Sequence, residues 1–124
     1  MYQHTVLVAE DSDDLRALMK TVLQMKGYRV TEAADGRQAV ESALLEHPDL
    51  ILMDLSMPVM DGWEATRQLR RYELTREVPI VAVSAHCREE QRELAISAGC
   101  DECIPKPVDY EALDRMLARL LVIH

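Results

Sequence analysis

The chain has 124 residues, 48 % of them apolar and 29 % charged, a balance that excludes intrinsic disorder and leaves room for one folded domain. Fourteen Lys and Arg stand against 22 Asp and Glu, a formal charge of −8; phosphate backbones and anionic lipid are repelled, so neither direct nucleic-acid binding nor membrane binding is expected. No apolar run approaches the roughly 20 residues that cross a bilayer. The N-terminus, Met1-Tyr2-Gln3-His4, has no basic region leading into an apolar stretch, so no secretory signal is read there and a cytoplasmic location is expected. The three cysteines, Cys87, Cys100 and Cys103, are an odd number and are read as thiols. With no Phe and five aromatic side chains in all, the core is to be built from Leu, Val, Ile, Ala and Met.

Two periods alternate along the chain. His4 to Ala9 is a short apolar run rich in β-branched residues, a buried strand ending at Glu10-Asp11. Ser12 is an N-cap, and Leu15, Leu18, Met19, Val22 and Leu23 form a helical stripe that Gly27 stops. Tyr28 to Ala33 mixes apolar and polar residues, which places it toward a sheet edge. Asp35-Gly36 opens a second helix, with Ala39, Val40, Ala43 and Leu44 on one face, closing before Pro48. Asp49 to Asp54 is nearly continuously apolar, a central strand covered on both faces. A turn-rich loop, Ser56 to Gly62, leads to a helix from about Trp63 to Arg71. Val78 to Val83 is a fourth strand, and Glu89 to Ala98 a helix ended by Gly99. Glu102 to Ile104 is a short strand meeting Pro105-Lys106-Pro107, and Asp109 caps a last helix with Leu113, Met116, Leu117, Leu120 and Leu121 as its stripe. Five strand–helix units with short connections imply a parallel sheet, right-handed crossovers and helices on both faces.

In an open parallel sheet, ligands bind beyond the carboxyl ends of the strands. Glu10 and Asp11 follow the first strand, Asp54 ends the third, Ser84 follows the fourth and Lys106 the fifth. Taken singly, each has a bland role: a helix cap, a turn residue, a solvated loop charge. Together they bring three carboxylates, a hydroxyl and an ammonium to one sheet edge. Neighbouring carboxylates repel unless a cation lies between them or some protonate. Mg²⁺ takes oxygen ligands and keeps several waters, leaving room for a phosphoryl oxygen. A carboxylate can attack phosphorus to give an aspartyl phosphate, with cationic and hydroxyl groups stabilising the transferring charge.

The segments Val8-Ala9-Glu10-Asp11, Asp54 to Gly62, Val83-Ser84-Ala85, Gly99-Cys100-Asp101 and Lys106-Pro107 together resemble the CheY-like receiver domain of two-component response regulators, across essentially the whole chain. The resemblance implies a flavodoxin-like α/β fold, a three-layer sandwich around a five-stranded parallel sheet of order 2-1-3-4-5, and a single receiver over residues 1–124 without an output domain. It implies Asp54 as phosphoacceptor; Glu10, Asp11, Asp54 and the backbone carbonyl of Ser56 as ligands of Mg²⁺, with Mn²⁺ as a substitute; and Lys106 as partner of the phosphoryl group. Ser84 would swing toward that group, and Pro58 and Gly62 would shape the loop bearing the metal ligand. The donor would be a phosphohistidine on a sensor kinase or phosphotransfer protein, and a downstream protein would read the face of the fourth helix, fifth strand and fifth helix. The module would not act on an external substrate.

Some positions depart from the family pattern or leave alternatives open. Receivers carry Tyr or Phe three residues before the Lys of the Lys-Pro pair; this chain has Cys103, so output is expected to depend on loop and backbone shifts instead of an aromatic flip. Ser56 and His86 occupy the two positions that tune phosphoryl lifetime in the family, and the sequence gives no rate. Cys100 and Cys103 have Cys-x-x-Cys spacing, which leaves a redox or metal role open, but no second pair or suitably spaced His completes a zinc site, and packing is the favoured role. Arg67, Arg70, Arg71 and Arg76 are read as a solvated helix face, Trp63 as a cover for the loop base, and Met19, Met25, Met57, Met60 and Met116 as core or loop packing. Two other functions compete: a haloacid dehalogenase-type phosphohydrolase, disfavoured because Ser56 stands where the acid/base Asp is needed, and a phosphorylation-independent binding module, disfavoured by the intact acidic, hydroxyl and Lys set.

Overall fold

Strands β1 (Thr5–Ala9), β2 (Arg29–Ala33), β3 (Leu50–Asp54), β4 (Ile80–Ser84) and β5 (Glu102–Pro105) pair in parallel, in the order β2-β1-β3-β4-β5. Helices α1 (Asp13–Met25), α2 (Gly36–Glu46), α3 (Gly62–Leu69), α4 (Glu89–Ala98) and α5 (Tyr110–Leu120) make the crossovers. The architecture is the flavodoxin-like α/β sandwich implied above. The computed structural model describes residues 3–121; Met1 and Tyr2 of the N-terminal stretch lie outside the described residues.

Strand side chains alternate between two cores. Val6, Val8, Leu50, Leu52, Val81, Val83 and Ile104 pack with Met19 and Leu23 of α1 and Leu113 and Leu117 of α5. Leu7, Ala9, Ile51, Met53, Ile80, Ala82 and Cys103 face the opposite way, onto Ala39, Val40 and Ala43 of α2, Ala65 and Leu69 of α3 and Ala95 of α4. The small side chains on that second layer let three helices approach the sheet. β3 is buried at all five residues, as a continuous apolar run requires. β2 lies at the edge with Arg29 and Glu32 exposed, charges that discourage edge-to-edge pairing.

The caps follow the sequence closely. Ser12, Asp35 and Asp109 accept hydrogen bonds from N–H groups in the first turns of α1, α2 and α5, and Asp61 caps α3 through Glu64 N–H at 2.9 Å. Gly27 terminates α1 at φ +95°, a left-handed conformation that glycine adopts without a steric penalty. Helix α3 stops at Leu69, before Arg71, and β4 begins at Ile80, after Val78. Pro79 has no N–H to give the ladder, and the Val78 N–H turns back to Thr75 O at 3.2 Å.

Three expectations are corrected. Met25 is 81 % exposed, outside either core, because it falls beyond the buried stripe at the last residue of α1. Arg70 is not part of a solvated face. It is the C-cap of α3, and its guanidinium donates to Gly99 O (2.8 Å), Thr75 O (3.1 Å), Arg76 O (3.0 Å), Val78 O (2.7 Å) and Asp101 Oδ2 (2.9 Å). Asp101 Oδ2 also accepts the Ile80 N–H at 2.8 Å, so one side chain ties the end of α3, the loop into β4 and the turn into β5. The cysteines are not all thiols either: Cys87 and Cys103 form a disulfide, and buried Cys100 is free. The pairing joins residues 16 apart in sequence that the β4–β5 neighbourhood brings together.

Arg70→Ala leaves several backbone carbonyls without a donor, so it is expected to cost about 2 kcal/mol, a fall in Tm of about 8 °C. Arg71→Ala, on exposed surface, is expected to change stability by less than about 0.5 kcal/mol. Thermal unfolding of the two variants checks the contrast.

Candidate functional site: an acidic cluster at the C-terminal edge of the sheet

Of the residues that the sequence places at strand ends, Glu10, Asp11, Asp54 and Lys106 meet, while the Ser84 hydroxyl is engaged with the His86 N–H. Glu10 directly follows β1, and its N–H continues the β2 ladder to Ala33 O at 3.0 Å. Asp54 is the last residue of β3. Lys106 directly follows β5, held by its N–H on Ser84 O at 2.9 Å. Carboxylate oxygens of Glu10, Asp11 and Asp54 lie within 4.8 Å of one another, Glu10 and Asp54 buried and Asp11 exposed. Lys106 Nζ reaches between the two buried groups, 3.1 Å from Glu10 Oε1 and 3.3 Å from Asp54 Oδ2.

Backbone amides hold the remaining oxygens. Ser12 N–H donates to Glu10 Oε2 and Ser56 N–H to Asp54 Oδ1, each at 3.0 Å. Burial is the main force on Glu10, raising its pKa to about 7; the Ser12 N–H pulls the other way, the charge of Asp54 adds to the rise and Lys106 opposes it. For Lys106, desolvation lowers the pKa, but hydrogen bonds and charge from Glu10 and Asp54 outweigh it, and the net shift is upward. One ammonium thus pairs with two of the three clustered carboxylates.

The β3–α3 loop is fixed by close backbone packing. A Cβ on Gly62 would collide with Asp54 O and Leu55, and one on Gly36 with Met60 O; each is a place where one chain lies against another with no room for a side chain. Gly62 N–H bonds to Leu55 O at 3.2 Å and Gly36 N–H to Met60 O at 2.9 Å. Between them Val59 takes φ +66°, costly for a β-branched residue, in a tight turn closed from Met60 N–H to Pro58 O at 2.7 Å. Leu55 and Met57 are buried while Ser56 is exposed, so the loop is anchored on both sides of Ser56.

Ser84 ends β4 half-buried, and its Oγ accepts the His86 N–H at 3.1 Å. His86 is exposed. Between the β3–α3 and β4–α4 loops lies an open cavity of about 450 Å³, lined among others by Ser56, Asp61, Trp63, Ser84 and His86. Trp63 packs half-buried against the core below it. Cys103 is not paired through the Cys-x-x-Cys spacing. Cys100 Sγ instead contacts Thr66 Oγ1 at 3.8 Å, and burial raises its thiol pKa. Sequence reasoning missed Cys87, since nothing local marks a cysteine whose partner sits on the next strand.

An excess of hard carboxylate oxygens around a buried cluster is a donor set suited to Mg²⁺; the three residues could hold such an ion.

A CheY-like fold carrying an acidic cluster at this edge defines a two-component receiver. The comparisons agree: the response regulator receiver domain family matches residues 6–118, and the chain belongs to that family. It is similar to sensor protein EvgS of Escherichia coli K12, 38 % identical over 94 % of the chain and 10 % of EvgS. Among solved structures it is similar to the receiver domain of sensor histidine kinase PA1611 from Pseudomonas aeruginosa PAO1, which has a magnesium ion coordinated in its active-site cleft (39 % identity, TM-score 0.88, 96 % of this chain and 98 % of that one). It is also similar to the Saccharomyces cerevisiae Ssk1 receiver domain, in complex with the histidine phosphotransfer protein Ypd1 (28 %, TM-score 0.89, 95 % and 88 %). The chain thus spans about a tenth of the EvgS relative. Among the described residues, no helix is long and apolar enough to cross a membrane.

Mg²⁺ at ten times its dissociation constant is expected to stabilise the fold by about 1.4 kcal/mol, raising Tm by about 5 °C. In Asp11→Asn, which removes the exposed carboxylate of the cluster and spares the buried pair, the rise is expected to vanish; calorimetry with and without Mg²⁺ checks it.

Proposed function

We propose that Asp54 is the phosphoacceptor of a phosphorelay and that the domain passes the signal on by changing its contacts with a partner. The observation that carries this reading is the placement of the Asp54 carboxylate at the rim of the sheet, between Glu10 and Lys106 and beside Asp11. The donor is a phosphohistidine on a sensor kinase or a phosphotransfer protein, a reading supported by the Ypd1 partner of the similar Ssk1 receiver.

Glu10, Asp11, Asp54 and the Ser56 carbonyl would hold Mg²⁺, which when bound supplies positive charge to the phosphoryl oxygens. The chain's own groups do the rest. An Asp54 carboxylate oxygen forms the new bond to phosphorus as the bond from phosphorus to the imidazole nitrogen breaks, and that nitrogen keeps the electron pair. Ser56 N–H orients the Asp54 carboxylate through Oδ1. Lys106, already at hydrogen-bond distance, moves with the charge from the carboxylate to the phosphoryl oxygens. Ser84 can donate to those oxygens once its loop rearranges, so phosphorylation shifts a pre-existing equilibrium of the β4–α4 loop. Ser56 and His86, at the cavity wall, set how readily water reaches the acyl phosphate. Output runs through the α4–β5–α5 face to a protein target, in the cytoplasm. No external substrate is turned over; Ser56, where a haloacid dehalogenase would need its acid/base carboxylate, disfavours a phosphohydrolase.

Incubated with Mg²⁺ and acetyl phosphate, the chain is expected to gain one phosphoryl mass in an acid-stable, base-labile linkage. Asp54→Asn is expected to abolish the gain, and chelation of Mg²⁺ to reduce it by at least about 100-fold, the scale of a lost electrostatic stabiliser. A gain that survives in Asp54→Asn refutes the assignment, and steady release of phosphate from generic esters would indicate a hydrolase.

A further inference from the structure

The disulfide joins the two segments that flank the site. Cys87 lies three residues after Ser84, and Cys103 three residues before Lys106. The Lys106 N–H bonds back to Ser84 O at 2.9 Å, so a closed ring runs from Ser84 to Cys87, across the sulfurs to Cys103, along β5 to Lys106 and back. Inside that ring the Ser84 hydroxyl oxygen accepts the N–H of His86, next to Cys87, at 3.1 Å. Cys103 sits on the sheet in register with Ala82, buried under α4. Cys87 is half-buried in the stretch between β4 and α4, beside exposed Ala85, His86 and Arg88. One sulfur is therefore fixed to a strand, and the other is on the segment that must move if Ser84 is to turn toward Asp54. Their Cα atoms are 6.0 Å apart, the usual separation for a bridged pair. Cys100 is a thiol against Thr66 on the other side of the β5 turn and does not compete for either sulfur.

We propose that Cys87 and Cys103 form a redox latch on the receiver: closed as a disulfide, it holds Ser84 on His86 and weakens the response of the β4–α4 loop to phosphorylation; opened to two thiols, it frees that loop. The inference rests on the reading of Asp54 as phosphoacceptor and adds a second input to it. In the cytoplasm proposed above, disulfides are mostly transient and regulatory, which fits a bridge from a strand to the loop beside it. Closure takes two electrons and two protons from the pair of thiols. With hydrogen peroxide as oxidant, one sulfur is first oxidised to a sulfenic acid with loss of one water, and the second thiol then displaces the other water as the S–S bond forms. Opening takes a dithiol reductant, which leaves as its own disulfide.

The experiment compares the full chain after dithiothreitol and after hydrogen peroxide. Under denaturing conditions, thiol titration is expected to find three thiols in the reduced chain and one in the oxidised chain. Beryllofluoride with Mg²⁺, a mimic of the phosphoryl group, is expected to bind the oxidised chain at least about fivefold more weakly, the lower range for coupled sites. It is also expected to change amide exchange over residues 84–99 in the reduced form alone. Cys87→Ser is expected to behave as the reduced chain before and after peroxide, which separates the latch from methionine oxidation, and Cys100→Ser to keep the full redox response. Equal beryllofluoride affinity and equal loop exchange in the two wild-type forms overturn the latch while leaving Asp54 as phosphoacceptor. Three titratable thiols after peroxide also overturn it. Failure of the reduced chain both to bind beryllofluoride and to take a phosphoryl group from acetyl phosphate removes the phosphoacceptor reading, and the latch with it.

Discussion

Two buried carboxylates share one ammonium, and that uneven balance is the constraint on which the rest of the structure turns. Glu10 and Asp54 are each about 2 % exposed, and Lys106 contacts both. Burying charge costs free energy unless it is paired and hydrogen-bonded. Lys106 supplies the pairing, and the Ser12 and Ser56 amides supply hydrogen bonds. Asp11 then adds a third carboxylate at the exposed rim. The cluster carries an excess of negative charge, and the pKa of Glu10 is raised chiefly by its burial, with the charge of Asp54 adding to the rise. Such a cluster is a poor source of stability, because an apolar group of similar shape often fills the same space at equal or lower cost.

The fold keeps the cluster in place through backbone, with few long side chains. Three of its residues end or follow strands paired in one sheet, so their relative positions are set by the ladder. Gly36 and Gly62 let the β3–α3 loop lie directly on its neighbours. On the α4 side the restraint is of another kind. Arg70 clasps the ends of α3 and α4 to the start of β4, while the segment after Ser84 is exposed except at Cys87. The side of the site bearing Glu10 and Asp54 is closely packed, and the segment after Ser84 is the less buried side.

Much of this was legible in the chain itself. The alternation of apolar strands with amphipathic helices, the caps at Ser12, Asp35 and Asp109, and the fully apolar run into Asp54 give the sandwich and its central strand directly. The edge position of β2 follows from its mixed polarity. The site residues were legible because strand ends are countable: once five parallel strands are read, Glu10, Asp11, Asp54, Ser84 and Lys106 fall on one rim by topology. Arg70 was not legible, because a guanidinium in an arginine-rich helix end looks the same in sequence whether it meets water or five carbonyl and carboxylate oxygens. Met25 failed for the opposite reason, since its apolar type says nothing about which side of the last helical turn it occupies.

The class of fold, the order of its elements and the polar residues at the strand ends could thus be read from residues alone, since periodicity, caps and strand termini are local properties of the chain. Only the tertiary structure decided which distant groups meet: Lys106 between Glu10 and Asp54, Arg70 on three separate turns, and Cys87 bonded to Cys103 while nearer Cys100 stays a thiol. The physical reason is alternation on a strand. Cys103 faces the α4 layer, so its sulfur meets whatever the β4–α4 loop lays over that face, and spacing along the chain carries no record of that meeting.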